Sequence, residues 1–337
     1  MTAKLITAFV LSLLFVTAFG KFYIPWLKRQ NAGQEIKENG PKWHMDKSGT
    51  PTMGGVMFIL GTLLVILTVG FESMLNGKYV HLFVFIFALV FGVIGFLDDW
   101  EKIKKKQNLG LRAKAKFALQ LLAALIFVFL MQKLGYIGDK LYIPFFNVEV
   151  NCPRWLYFLL SAFIIVGGVN SVNITDGIDG LATGTSIPVM LFFVAVCFLS
   201  KGQYLELGIF ASGLLGGLVG FLFYNFNPAK VFMGDTGSLF LGGAMVALAF
   251  AYDMPLILIT LGIMFILETL SDIIQVSYFK LTHGKRVFKM APFHHHLEMG
   301  GFLGHKWKEK ELFTLFTGIS TIFAIISFIG VYARFIR

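Results

Sequence analysis

The chain has 337 residues, of which 56% are hydrophobic and only 14% charged, and its mean hydropathy is +0.75. These values exclude an ordinary soluble domain and favour one bundle of membrane helices, since a helix that crosses a bilayer needs about 20 mostly apolar residues. The formal charge of +10 is not gathered into a separate basic domain, so it favours the cytoplasmic loops of a membrane protein over nucleic-acid binding.

Ten apolar runs predict an all-α polytopic membrane protein with about ten transmembrane helices in a single domain, 1–337. The first run continues past Gly20 to Trp26 with no cleavage site, so we expect a retained helix and not a signal peptide. The segment 142–150 has strand character and predicts a short external β-hairpin. In chain order the runs are 3–27, 52–71, 80–97, 117–134, 155–172, 181–200, 205–225, 237–252, 254–278 and 312–334.

The distribution of basic residues predicts the orientation of the bundle. Of the 29 Lys and Arg residues, 20 lie in the first, third, seventh and ninth loops, whereas the even loops hold few. Loops rich in Lys and Arg remain in the cytoplasm. The odd loops are therefore expected on the cytoplasmic face of the membrane, with both termini outside.

Every polar motif lies in an odd loop or at its edge. The motifs are Lys47–Gly55, Asp98-Asp99, Asn173–Gly180, Phe232–Asp235 and His294–His296, one in each of the five odd loops. Structural polar residues would divide between the two faces of the membrane. We therefore expect five segments, distant in sequence, to form one site on the cytoplasmic face.

The acidic residues of these motifs suggest what the site binds. Carboxylates at a membrane boundary are costly unless they bind something, and a hard cation such as Mg²⁺ with a phosphate is the ligand that suits them. Phe232, three residues before Asp235, is placed to stack on a nucleobase. The plainer interpretations are a solvated stop signal for Asp98-Asp99 and helix caps for the other acids. Three consecutive histidines favour phosphate binding or loop ordering over a zinc site.

The motifs together resemble those of the polyprenyl-phosphate N-acetylhexosamine 1-phosphate transferases. The stretches Thr50–Gly55 (TPTMGG) and Pro292–Glu298 (PFHHHLE) are similar to the phospho-N-acetylmuramoyl-pentapeptide branch of that superfamily. The resemblance covers the whole chain, with a motif in each of the five odd loops. Two departures are Ile178, where the family usually has Leu, and Phe302, where it usually has Trp after a glycine.

The resemblance implies the reaction and the site. Undecaprenyl phosphate would attack the β-phosphate of UDP-N-acetylmuramoyl-pentapeptide to give lipid I and UMP, with Mg²⁺ on Asp235, in the inner (plasma) membrane of a bacterium. It also implies a homodimer surrounded by membrane lipids, with no nucleic-acid partner. The implied catalytic residues are Asp98, Asp99, Asp235, His294 and Lys114. The implied substrate-binding residues are Lys47, Thr52, Lys102, Asn173, Asp176, Gly177, Ile178, Asp179, Asn225, Phe232, His295 and His296.

Several alternatives remain open from the sequence. The acceptor phosphate attacks directly, with Asp98 removing any remaining proton, or the reaction passes through an aspartyl-phosphate on Asp235. A transferase that uses UDP-N-acetylglucosamine is the nearest alternative function. An ion or proton transporter is the alternative of a different class, because Glu268 and Asp272 lie on one face of the ninth helix.

The resemblance also implies a bend in that ninth helix, beside a groove for the polyprenyl tail.

Overall fold

The computed structural model describes residues 1–30, 47, 49–105, 110–138 and 140–336, so most of the predicted first loop lies outside the described residues. Over these residues the chain is a helical bundle with one two-stranded sheet. The elements are α1 (Thr2–Arg29), α2 (Val56–Thr68), α3 (Phe71–Leu75), α4 (Val80–Lys105), α5 (Ala113–Lys133), β1 (Lys140–Ile143), β2 (Val148–Asn151), α6 (Arg154–Thr175), α7 (Leu181–Leu199), α8 (Leu205–Asn225), α9 (Gly234–Ala251), a 3₁₀ turn (Pro255–Ile257), α10 (Leu258–Leu261), α11 (Ile263–Leu281), α12 (Phe293–Glu298) and α13 (Glu309–Ile336).

Eight helices in the described ranges are long and apolar enough to cross a membrane, namely α1, α4 to α9 and α13. A ninth candidate, 255–281, is bent by 80° at Gly262, so the bend that the resemblance implies is confirmed. The polytopic all-α class is confirmed as well; the described residues contain eight or nine candidate spans by length and composition, where the apolar runs predict about ten.

The run 52–71, predicted as the second span, is not among these candidate spans. Its helix α2 has only 13 residues, fewer than the roughly 20 that a bilayer requires. The residues before it pair with the chain that precedes α9: Gly54 N donates to Phe232 O at 2.8 Å, and Gly55 N donates to Met233 O at 3.0 Å. Within α2 itself the side chains of Met57, Phe58 and Ile66 are buried, so much of this run's apolar surface contacts the rest of the protein.

Helix α9 lies at the centre of the bundle, because 89% of its apolar 18-residue stretch is buried inside the protein. In α1 and in α13 only 28% of the most apolar 18-residue stretch is buried. Large apolar side chains such as Phe22 on α1 and Ile329 on α13 remain exposed. Exposed apolar surface of this extent on helices long enough to span a bilayer is the expected surface for membrane lipids.

Helix α9 is in main-chain contact with two neighbouring segments. A Cβ atom added to Gly95 of α4 would lie 2.0 Å from the carbonyl oxygen of Asp235, and one added to Gly55 would lie 2.1 Å from Gly237 Cα. Only glycine permits so close an approach. The end of α4 is thereby held against the beginning of α9, at the point where both helices carry aspartates.

The predicted hairpin is confirmed as the antiparallel pair β1 and β2, in which Ile143 lies opposite Val148. Arg334 near the end of α13 stacks over the ring of Tyr142 at 4.0 Å and lies 3.1 Å from Asp253 Oδ2. Asp253 follows α9, whose 18 residues separate it from Asp235 by about 27 Å at 1.5 Å per residue. The hairpin is therefore at the opposite end of the bundle from the aspartates.

Candidate active site

Three aspartates meet where α4 ends and α9 begins. Asp98 and Asp99 come from the last two turns of α4, and Asp235 comes from the first turn of α9. One oxygen from each lies within 4.8 Å of the others. Asp98 and Asp99 are buried, while Asp235 is half-buried. The carboxylates that the sequence placed in two separate loops thus form one cluster.

Asp99 holds the first turn of α9. Its carboxylate accepts hydrogen bonds from Asp235 N at 3.2 Å, Thr236 N at 2.9 Å and Thr236 Oγ1 at 2.7 Å. The first N–H groups of a helix have no partner within the helix, and a negative charge beside them is stabilising. Asp99 therefore caps α9 from another helix, with both of its oxygens engaged.

Two lysines neutralise the remaining acids. Lys102 Nζ lies 2.6 Å from Asp98 Oδ2 and 3.0 Å from Asp235 Oδ2. Lys116 Nζ lies 2.7 Å from Asp235 Oδ2. The cluster therefore already attracts and holds cationic groups between its carboxylates.

The sequence offers both Lys114 and Lys116 as lysines that could contact phosphates, and it was Lys114 that was assigned a catalytic role; the structure instead places Lys116 at the cluster. Lys114 is exposed and forms no ion pair within the described ranges. Residues two apart in a helix point about 200° apart, so only one of the two can face the site. The signal that identifies the inner face is Gln120, one turn after Lys116, which is buried and accepts a hydrogen bond from Asn170 Nδ2 at 2.7 Å.

Asn173 at the end of α6 completes the surroundings of Asp235. Its Nδ2 donates to Asp235 Oδ1 and to Ser238 Oγ, both at 2.8 Å. Thr52 is buried next to Gly234, where an added Cβ would lie 2.6 Å from Thr52 Oγ1. Phe232, the expected stacking residue, is half-buried and fixed through its main chain, which donates from N to Pro51 O at 2.8 Å.

The loop 176–180 is tied to three other segments through Asp179. Lys47 Nζ lies 2.6 Å from Asp179 Oδ1 and 2.5 Å from Glu309 Oε1. The other oxygen of Asp179 accepts from Ala229 N at 2.8 Å and Asn227 Nδ2 at 3.1 Å. This network holds Lys47 and the loop together at the start of α13.

Three other expected binding residues have defined environments near this loop. Ile178 is buried in an apolar cluster with Leu312 and other residues of α13. Asn225 is buried and accepts from Thr183 Oγ1 at 2.7 Å, so it fixes the end of α8. Asp176 is half-buried, and its pKa is raised well above its usual value by desolvation and by neighbouring acids, of which Asp235 has the largest effect.

The three histidines have different environments. His294 is fully buried, and its Nδ1 lies 2.9 Å from Glu268 Oε2. Its Nε2 adjoins Gly177 and has no hydrogen-bond partner among the described residues. His295 Nδ1 lies 2.6 Å from Glu298 Oε2 within the same short helix. The structure thus brings His294 of this motif against Gly177 of the 176–180 loop.

His296 faces the loop that follows α12. Its Nδ1 accepts from Lys289 N at 3.1 Å, and its ring lies 4.3 Å from that of Phe302, at the position where the sequence departs from the family pattern. Burial, together with the charge of Lys289, lowers the pKa of His296, so this ring is neutral and orders its own loop.

Carboxylate oxygens are the ligands that hard divalent cations prefer. Three of them within 4.8 Å of one another, with lysine ammonium groups drawn into the same place, fit such an ion. The donor set contains no thiolate or imidazole, so it does not suit a soft metal. The aspartate cluster can therefore bind a divalent metal.

Comparison with known proteins gives the class first. The family model described as Glycosyl transferase family 4 matches residues 81–253, a range that includes both acidic helix ends. A second model, Phospho-N-acetylmuramoyl-pentapeptide-transferase signature 1, matches residues 47–59.

Relatives narrow the class. A protein from Caldanaerobacter subterraneus named Phospho-N-acetylmuramoyl-pentapeptide-transferase is 44% identical to this chain, over 97% of this chain and 99% of the relative. A protein of the same name from Heliobacterium modesticaldum is 45% identical over 97% of both chains. One of the same name from Geobacillus thermodenitrificans is 43% identical over 97% of both. The chain belongs to the phospho-N-acetylmuramoyl-pentapeptide-transferase family.

Proposed function

We propose that this protein transfers phospho-N-acetylmuramoyl-pentapeptide from its UDP derivative to undecaprenyl phosphate, giving lipid I and UMP. The observation that carries the proposal is the cluster of Asp98, Asp235, Lys102 and Lys116 at the meeting point of α4, α5 and α9. Phosphoryl transfer requires alignment and charge neutralisation more than covalent participation, and this cluster supplies both. Relatives that carry the same name over nearly the whole chain support the choice of substrate.

The residues divide the work as follows. Phe232 and the 173–179 segment bind the uridine, and Lys102 and Lys116 offer their ammonium groups to the donor phosphates in exchange for Asp235. Asp235, with Asp98 beside it, would hold Mg²⁺, which when bound offsets the charge of the diphosphate. Asp98 accepts the last proton of the acceptor phosphate, because its Oδ2 pairs with the ammonium group of Lys102, which can turn to the donor phosphates. Both oxygens of Asp99 are instead bonded to the first residues of α9.

Direct attack by the acceptor phosphate is the mechanism that this arrangement supports. The carboxylate of Asp235 accepts a hydrogen bond from Asn173 and would hold Mg²⁺ once the lysines turn to the donor phosphates, and both interactions weaken it as a nucleophile. A phosphorylated enzyme trapped after incubation with the UDP donor alone would refute direct attack and establish the two-step route through Asp235.

The proposed setting is the bacterial inner membrane, with the cluster on the cytoplasmic face. The polyprenyl tail would approach along α11, whose exposed apolar residues Leu270, Ile274 and Leu281 continue past the bend at Gly262. The homodimer stays a prediction. The transporter alternative loses its main support, because Glu268 pairs with His294 next to the 176–180 loop.

The test is UMP release by detergent-solubilised protein given undecaprenyl phosphate, Mg²⁺ and either UDP-N-acetylmuramoyl-pentapeptide or UDP-N-acetylglucosamine. We expect turnover of the muramoyl donor only, and a loss of about 100-fold or more in Asp235→Asn. Glu149→Gln, which changes an exposed carboxylate of the hairpin, is the matched control and should retain full activity. Turnover of the glucosamine donor would assign the protein to the related transferases, and turnover of neither by folded protein would refute the proposal.

A further inference from the structure

Glu268 is a carboxylate fully buried in the middle of α11. Its two oxygens face one residue: Oε1 accepts from His294 N at 3.2 Å, and Oε2 lies 2.9 Å from His294 Nδ1. A buried carboxylate is costly unless a charged or hydrogen-bonded partner offsets it. Since no lysine or arginine of the described residues forms an ion pair with Glu268, its partner in this role is the His294 ring.

The other nitrogen of His294 points away from Glu268. Nε2 is buried, has no hydrogen-bond partner in the described part of the chain, and adjoins Gly177, where an added Cβ would lie 2.3 Å from it. Gly177 itself is exposed and follows Asp176 in the loop that the proposed function assigns to the nucleotide. A buried ring nitrogen that no described residue hydrogen-bonds, and that lies against an exposed glycine, is available to a ligand once that turn moves aside.

We propose that Glu268 is a positioning residue that keeps His294 as an imidazolium, with Nδ1–H donated to Glu268, so that Nε2–H is presented through the Gly177 turn to an anionic oxygen of the donor nucleotide. The inference rests on the proposed function, because it takes the UDP donor as the ligand. A carboxylate commonly plays this part for a ligating or catalytic imidazole: it holds the ring through Nδ1–H and stabilises the positive charge that the ring carries when Nε2 is also protonated.

The charges around His294 agree with this assignment. Burial lowers the pKa of His294, but the charge and hydrogen bond of Glu268, with Glu298 and Asp272 further away, outweigh burial and leave the pKa above its usual value. His295 is the neighbouring titratable ring, 4.2 Å away between centroids, and it has its own carboxylate in Glu298. The groups that face His294 from α11 and α12 are therefore predominantly acidic.

The test is the pH dependence of the dissociation constant for UDP-N-acetylmuramoyl-pentapeptide, measured calorimetrically on the full-length protein in detergent without acceptor. Glu268→Gln keeps the size of the side chain and one acceptor oxygen but removes the charge. Because a raised pKa in the wild type falls when that charge is lost, the pH above which affinity declines should move down by about one unit or more, with affinity about tenfold weaker at pH 8 and a smaller loss at pH 6.

Two further variants separate positioning from structural damage. Glu298→Gln makes the same change in the carboxylate that faces His295 and should shift the profile much less. His294→Gln should weaken binding most below the pH at which wild-type affinity declines, and should flatten the pH profile. Adding Glu268→Gln to it should cost nothing more, because the two residues act as one unit. Thermal denaturation of each variant verifies that it is folded.

Three results would refute the role of Glu268. The pH profiles of wild type and Glu268→Gln could be superimposable, the loss of affinity in Glu268→Gln could be equal at all pH values, or the losses of affinity could be additive in the double variant. These results leave the transferase proposal intact, provided that the wild type binds the donor and releases UMP. A wild-type protein that does neither refutes both.

Discussion

Lys114 and Lys116 form a matched pair for mutagenesis at the start of α5. Lys116 Nζ lies 2.7 Å from Asp235 Oδ2, whereas Lys114, two residues earlier, is exposed and faces away from the acids. Lys116→Met removes the ammonium group and keeps the length of the side chain. Lys114→Met makes the same change in the same helical turn without touching the cluster.

The expected loss follows from the hydrogen bond that Lys116 would make to the donor phosphates. A hydrogen bond between charged groups contributes about 1.5–3 kcal/mol, and each 1.4 kcal/mol is a factor of ten, so kcat/KM should fall by about 10- to 100-fold in Lys116→Met. Lys102, at 3.0 Å from the same oxygen, remains to neutralise Asp235, which favours the lower part of that range. Lys114→Met should stay within about twofold of the wild type, as surface substitutions usually do.

The assay is steady-state UMP release at saturating Mg²⁺ with the concentration of the UDP donor varied. The reasoning is refuted if Lys114→Met loses as much activity as we expect of Lys116→Met, or if Lys116→Met retains full activity. The first result would restore the assignment made from the sequence and show that α5 turns or shifts when substrate binds.

Two further substitutions test the fold and the nucleotide site. Gly95→Ala would place a Cβ atom 2.0 Å from the main chain of Asp235, so we expect a lower melting temperature in detergent and a loss of about 1–3 kcal/mol or more in the free energy of unfolding. The control is Gly318→Ala on α13, whose added Cβ meets nothing within 4 Å, and it should be neutral or slightly stabilising. Equal melting temperatures for the two variants would contradict the helix contact. Phe232→Ala should weaken binding of the UDP donor by about 1–3 kcal/mol through loss of stacking while leaving the melting temperature near that of the wild type, and an unchanged dissociation constant would exclude stacking by this ring.

The membrane helices were predictable from the sequence where the whole apolar run forms a single helix. Runs such as 181–200 and 205–225 contain long, apolar stretches with polar residues at both ends, and α7 and α8 match them closely. The run 52–71 is as apolar, but its beginning pairs with the segment before α9, and composition does not distinguish contact with protein from contact with lipid. The ninth candidate span bends at Gly262, seven residues after Pro255 and with no proline at the bend itself, so that only the resemblance implied this break.

The candidate site was predictable to the level of the motif and not to the direction of each side chain. Asp98, Asp99 and Asp235 were selected because acids at membrane boundaries need partners, and they do meet. The lysines of α5 and the three histidines were not resolved, because neighbouring residues in a helix point in different directions and only packing fixes which of them faces inward. Glu268 was noticed as a charge within an apolar helix, but its partner His294 lies 26 residues away and could not be inferred from spacing.

The contact between α4 and α9 has a consequence for how the family can diverge. Because backbone touches backbone at Gly95, the separation of the aspartates is set by the main chain and does not depend on the packing of neighbouring side chains. The apolar residues around the junction can then be replaced over evolutionary time without changing the separation of the aspartates. Relatives that share 43–45% of their residues with this chain over nearly its whole length have had wide scope for such replacement.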